Sequence, residues 1–390
     1  MRAPAGLVGT LLVLAAPLGA QSLFNASGLG LPIDGLDARA RALGSVGIGL
    51  MGSAILPSDP AASAALQSAS GVLSVQPSWV EFDRADGSES GSFRGQRFPM
   101  AGFAYPGPRQ TVVTLSFASH LDQRYRAVRS VSLGLPTGSA EATDTLSQDG
   151  GVSVVSLGVA RRLGANVSVG LSLGRYAGSV TRSLVRTVGD VGVVGEVGAY
   201  QAAGRWGYGG TQVAGGVSAD LGSVARIAAS AAWSSELRAD ASEGTTAPSK
   251  SFSLPLQLRV GASALLAPGL MLTGSVARSD WSDTSADLAT GSTAAAGTSY
   301  GFGLELTRAR LLGRQAPIRL GYRRGELPFD SGAGAPTESA LTGGLGLALN
   351  AGEGIALGGV DVSLERGERR DSALTESFWR ATVTLRVAGF

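Results

Sequence analysis

From about Gly71 to Phe390 the chain repeats segments of about ten residues in which apolar side chains alternate with small or polar ones. Period two belongs to a β-strand, whose successive side chains point to opposite faces; a helix needs apolar residues three and four apart. Between Phe252 and Ala264 the even-numbered positions include Phe252, Leu254, Leu256, Leu258 and Val260, and the odd ones Ser253, Pro255, Gln257, Arg259 and Gly261. Tyr300, Phe302, Leu304 and Leu306 alternate in the same way with Gly301, Gly303, Glu305 and Thr307, as do Val167 to Leu173 and Leu341 to Leu349.

Such strands occur in soluble sandwiches and in membrane barrels, and composition separates the two. Charged residues make up 16% of the chain, against about 25% in an ordinary soluble domain. Glycine reaches 58 of 390 residues without a collagen-like period, which suits many tight turns and crowded sheet faces. The only long apolar run is Leu7 to Leu18, which follows Arg2 and precedes Gly19-Ala20, the layout of a secretory signal peptide cut after residue 20. Beyond it no helix-length apolar segment remains, so a membrane can be crossed only by a closed barrel.

Links between strands alternate in length. Short ones rich in Gly, Pro and Asn fall at 105–108, 163–166, 221–223, 267–269, 313–315 and 350–352, and longer polar ones at 178–206, 239–250, 282–297, 328–337 and 366–376. Tight periplasmic turns and long extracellular loops produce this asymmetry. About fifteen plausible strands conflict with the even number that a barrel with both ends in the periplasm requires. The alternation breaks only around 123–135, so residues 119–150 are assigned to an extracellular excursion with its own hairpin arm. The expected architecture is all-β: a signal peptide over 1–20, an N-terminal luminal plug over 21–70, and a transmembrane antiparallel β-barrel of about 14 strands over 71–390.

Charge placement supports an inside and an outside. Arg259, Glu305, Arg319, Arg323, Asp361, Glu365, Arg380 and Arg386 all occupy the polar parity of their strands. A lipid-facing arginine at the midplane would cost about 2–4 kcal/mol, so these eight should line the lumen. They read either as an ion-pair network fixing plug and wall or as a lining that orients a polar head group. The lumen-facing glycines, Gly170, Gly261, Gly301, Gly303, Gly344 and Gly346, read first as devices of strand curvature and second as room for a ligand or the plug. Pro255 cannot donate a ladder hydrogen bond and implies a wall irregularity, either a lateral opening or a defect at the extracellular end.

Catalysis has little to work with. There is no cysteine, no nucleophile-elbow, zinc-protease or phosphate-loop motif, and the one histidine, His120, reads as a surface residue at the extracellular rim. No enzyme activity, cofactor, metal or nucleic-acid partner is expected. The chain ends on alternation from Trp379 to Val387 followed by Phe390, which resembles the terminal aromatic signal read by the barrel-assembly machinery.

Arg41-Ala42-Leu43-Gly44-Ser45-Val46-Gly47-Ile48-Gly49 and Asp59-Pro60-Ala61 resemble, in order, the Arg-x-Leu-Gly-x-x-Gly-x-Gly and Asn-Pro-Ala stretches of outer-membrane long-chain fatty acid transporters (FadL-type) and PorV-like barrels. Asp59 stands where that family carries Asn. Segments 254–261 and 318–323, with Asp280-Trp281 and Leu327-Pro328-Phe329, are similar to the family as well. The resemblance implies fourteen strands closed by an N-terminal hatch. It also implies passive uptake of a hydrophobic small molecule, such as a fatty acid or hydrocarbon, across the bacterial cell outer membrane. The PorV-like alternative is a non-transporting interaction barrel serving protein secretion or surface assembly. Expected partners are outer-membrane lipid, the assembly machinery and the hydrophobic ligand.

Overall fold

In the computed structural model the alternating segments form fourteen antiparallel wall strands that close on themselves. The structure describes residues 22–388 except 136–137, 189–198, 243–244, 246–247, 312–313, 331 and 351–355, so the signal peptide and Phe390 lie outside the described residues. The strands are β1 (Ser70–Arg84), β2 (Ser90–Arg97 with Met100–Pro106), β3 (Thr111–Asp122, continued by Tyr125–Leu135), β4 (Gly138–Leu163) and β5 (Val167–Val188). They continue with β6 (Ala199–Leu221), β7 (Ala225–Ser234 with Leu237–Ala241), β8 (Lys250–Phe252 with Gln257–Ala267), β9 (Leu270–Asp280) and β10 (Ala296–Leu306). The last four are β11 (Ile318–Glu326), β12 (Thr337–Asn350), β13 (Ala356–Arg370) and β14 (Leu374–Ala388). Closure comes from β1 pairing with β14, from Ser70 opposite Ala388 to Arg84 opposite Leu374.

The pleat sorts the sequence into two environments. Leu115, Leu157, Leu173, Val260, Leu320 and Leu341 point outward and are exposed, Leu341 to 65%, while the alternate positions are buried in the interior. An outward apolar belt on a closed antiparallel barrel is the lipid-facing surface of an outer-membrane protein. No helix among the described residues is long and apolar enough to cross a membrane.

Two loops expected from sequence prove to be strand. Residues 178–188 and 199–206 continue β5 and β6 and pair with each other from Gly178↔Tyr208 to Thr187↔Ala199. Above the membrane both faces of a strand meet water, so the apolar alternation that marks a strand fades there. The 366–376 loop shrinks to the turn 371–373 for the same reason. The 119–150 excursion does carry a hairpin arm: Tyr125–Leu135 pairs with residues 138–148, extending β3 and β4.

The wall is interrupted at Phe98–Pro99 in β2, at Ser235–Glu236 in β7 and at residues 253–256, including Pro255, in β8. Beyond the last interruption the parity changes. Phe252 turns inward and is buried, whereas Leu256 and Leu258 face out, so the single alternating strand expected over 252–264 is two pieces in different phases.

Residues 22–69 pack against the inward faces of these strands. Ser22 and Leu23 hydrogen-bond Glu376 near the extracellular end of β14 (2.7 and 2.5 Å). Leu31–Pro32 add a two-residue strand to the edge of β3. A single helical turn, α1 (Ala38–Ala42), is capped by Asp37, whose side chain accepts from the Ala40 N–H. The chain then runs along β7 and β8 at residues 48–52 and along β3 to β5 at 55–66 before entering β1.

Candidate functional site

The motif glycines are where the N-terminal segment meets the wall. Gly44 (φ 77°) and Gly49 (φ 74°) adopt left-handed backbone, and both lie where no Cβ fits. A Cβ on Gly44 would sit 2.4 Å from the Tyr322 carbonyl oxygen, and one on Gly49 2.6 Å from the Gly261 carbonyl. Gly47 closes instead against Leu36 and Ser58 of its own segment. The wall reciprocates: a Cβ on Gly301 would stand 1.9 Å from the Gly44 oxygen, and one on Gly261 2.3 Å from that of Ile48. Gly170 faces Pro60 and Ala61, Gly303 faces Leu43, and Gly344 meets Ala42. The expectation that favoured curvature for these glycines is therefore corrected: they make room for the segment, and only Gly346 faces wall side chains instead.

Two ion-pair chains begin and end on the segment. In the first, Arg39 binds Glu305 (2.7 Å), Glu305 binds Arg319 (2.7 Å), Arg319 binds Asp361 (2.5 Å), Asp361 binds Arg386, and Arg386 returns to Asp37 (3.6 Å). The N-terminal end of α1 is thus clasped twice, at Asp37 and Arg39; Ala38 N donates to Thr384 there, and at the other end Ala42 O accepts from Thr342 (2.8 Å each). The second runs from Arg41 to Glu365 (4.0 Å), which also meets Arg323 (3.1 Å) and Arg380 (3.3 Å). It continues through Arg323–Glu338–Arg369–Glu376 to Ser22 and Leu23. Phe378 is buried among Arg323, Arg369 and Arg380, with guanidinium carbons 4.6 to 6.0 Å from its ring centre. All eight charged residues singled out from sequence lie on the inward parity, and seven of them belong to these two chains. Arg259 stands apart, paired with Asp34 (3.0 Å).

Between the segment and β8 to β11 lies a cavity of about 170 Å³. Small wall side chains, Ser275, Ala277, Ser299 and Gly301, open it; Ile33, Leu36, Ile48 and Trp281 give it apolar walls, and Asp34, Arg259, Arg323 and His120 a polar side. Above it an apolar cluster fills the extracellular half of the lumen, with Leu29, Leu121, Tyr176, Leu237, Phe252, Trp281 and Phe329 at its centre. Trp281 joins the two spaces, buried and edge-on to Phe329 at 5.1 Å.

His120 does not sit on the surface. It is buried against the Tyr176 ring (5.1 Å) because the β3–β4 register shifts between Ser119 and Leu121, turning an extra residue inward. Asp34, Trp281 and Arg39 also belong to this site without a sequence signal that marks them as site residues, apart from the family-like pair Asp280-Trp281.

The two carboxylates of the segment differ. Burial alone would raise Asp34, but the Arg259 and Arg41 guanidiniums outweigh it and hold the carboxyl below the usual range. Asp59 goes the other way. Burial raises it, the Gly49 N–H and the Arg226 charge only partly oppose this, and its Oδ1 has no hydrogen-bond partner. A carboxyl raised in the folded state favours folding below its ordinary value and loses that contribution as pH rises through the folded value. Asp59→Asn should therefore hold the segment more firmly than wild type at pH 7, with the difference vanishing below about pH 3.8. Limited proteolysis of residues 22–69 across pH reads this directly.

A closed barrel with an apolar outer belt, its N-terminal segment packed against the inward wall, defines a transmembrane barrel of the bacterial outer membrane. No protein-family model matches the sequence, and neither does any curated protein. Solved structures do share the fold. The toluene transporter TbuX of Ralstonia pickettii matches with a TM-score of 0.58 at 16% identity, over 94% of this chain and 100% of that one. A Pseudomonas aeruginosa FadL homologue matches at 0.61 and 11%, over 93% and 99%. The Pseudomonas putida toluene transporter TodX matches at 0.56 and 13%, over 92% and 99%.

Proposed function

We propose that this barrel admits small hydrophobic molecules passively across the outer membrane, with residues 22–69 as a movable hatch, and that its cargo is of monoaromatic size. The carrying observation is the cavity of about 170 Å³ beneath the apolar cluster. A wholly apolar cavity of about 150 Å³ holds benzene, so this one, apolar at Ile33, Leu36, Ile48 and Trp281 and charged at Asp34, Arg259 and Arg323, has the volume for a single aromatic ring. A long acyl chain would need the segment to move first. Transporters of toluene among the structures with this fold support the reading.

Cargo enters along Phe252, Leu254 and Trp281 and rests beside Ile33, Leu36 and Ile48. An opening beside Pro255 would serve entry, because residues 253–256 lie at the outer end of β8. Release uses the interruption in β2. At Phe98–Pro99, β2 leaves the neighbouring edge of β3 to Leu31–Pro32, so a shift of the segment uncovers a gap in the wall. Ser299→Trp, which fills the cavity, is expected to abolish toluene binding by the purified barrel while leaving the fold intact. Equal toluene binding by wild type and variant would overturn the assignment, and tighter binding of laurate than toluene by wild type would return the cargo to fatty acids.

A further inference from the structure

The lipid-facing surface carries one row that the uptake reading does not use. Directly opposed residues on four consecutive strands run Arg94 (β2), Trp79 (β1), Trp379 (β14) and Arg366 (β13). All four are exposed, Trp79 to 42% and Trp379 to 45%. Trp79 lies nine residues above the periplasmic start of β1, about 23 Å along the barrel axis for a tilted strand, at the upper edge of an apolar belt about 25 Å tall. One row nearer the membrane centre come Pro77, Ala381 and Leu364; one row outward come Ser92, Glu81, Ser377 and Glu368. The row therefore sits at the headgroup level of the outer leaflet.

Neither arginine has an acidic partner among the described residues. The Arg366 guanidinium carbon lies over the Trp379 ring, 5.4 Å from its centre, a contact that leaves its N–H donors unused. One planar fork over an indole, and a second arginine directly opposite the other indole across the ladder, in an interface that half excludes water, match phosphate better than any neutral group. Three strand spacings separate the arginines, about 14 Å, so one compact phosphate cannot reach both. From this we infer that the row is a binding site for a glycolipid of the outer leaflet whose sugar headgroup carries a phosphate at each end. The indoles pack on the sugar and upper acyl region, and one arginine holds each phosphate.

Native mass spectrometry of the full-length barrel in detergent tests this with bisphosphorylated lipid A, monophosphorylated lipid A and inorganic phosphate as probes. The bisphosphorylated lipid should bind most tightly. R94Q/R366Q should weaken it about tenfold or more and erase the preference over the monophosphorylated form. R94K/R366K, which keeps the charges but not the forks, should fall between and serves as the reading if the glutamine pair does not fold. E81Q/E368Q should bind at least as well as wild type. The site is overturned if the arginine variants bind like wild type, if E81Q/E368Q loses binding to the same extent, or if inorganic phosphate displaces the lipid at equal concentration.

Discussion

Arg319→Ala is expected to destabilise the barrel by about 3–5 kcal/mol and to loosen α1 from the wall. Arg319 is 3% exposed at its side chain and joins Glu305 to Asp361, each 2% exposed. Removing it leaves two buried carboxylates with one arginine each, Glu305 with Arg39 and Asp361 with Arg386, the same two ion pairs that hold the N-terminal end of α1. The effect should be a lower urea midpoint for barrel unfolding together with faster protease cleavage between residues 37 and 52. A variant that unfolds earlier while the segment stays protected would show that the chain of ion pairs ties only the wall.

Gly301→Val should separate the two. Its Cβ would stand 1.9 Å from the Gly44 carbonyl oxygen, a contact backbone cannot relieve without moving, and such overpacking costs about 1–3 kcal/mol or more. The wall strand tolerates Val, since Tyr300, Phe302 and their neighbours on both flanking strands hold its ladder. The segment does not tolerate it. Barrel unfolding should change little, while residues 22–69 become protease-sensitive.

These two variants also mark what could be read from the sequence. Alternation and the inward set from Arg259 to Arg386 are legible because lipid on one face leaves each strand a single arrangement that avoids exposing charge to hydrocarbon. The partners of that set are not. Arg39 and Asp37 belong to a segment with one five-residue helix and no sustained period, so nothing local says which wall residues they meet. His120 and Phe252 were misplaced for a shared reason: each lies at an irregularity, a register shift in β3 or the gap in β8, where counting by two fails. Residues 178–188 and 199–206 do not read as strands in the sequence because Arg182, Arg186 and Arg205 stand in a sheet beyond the membrane, with no lipid to enforce an apolar face. The motif Arg41 to Gly49 was visible as a resemblance, but the close approach that demands its glycines is a property of the opposing wall.

The central claim is that residues 22–69 must move for cargo to pass. The chain has no cysteine, so a single reversible lock can be placed where Ser230 Oγ donates to the Ser58 carbonyl at 2.8 Å. With S58C/S230C in vesicles, toluene entry should stop on oxidation and return to the wild-type rate on reduction. Entry at the same rate in the oxidised and reduced states would contradict a moving hatch.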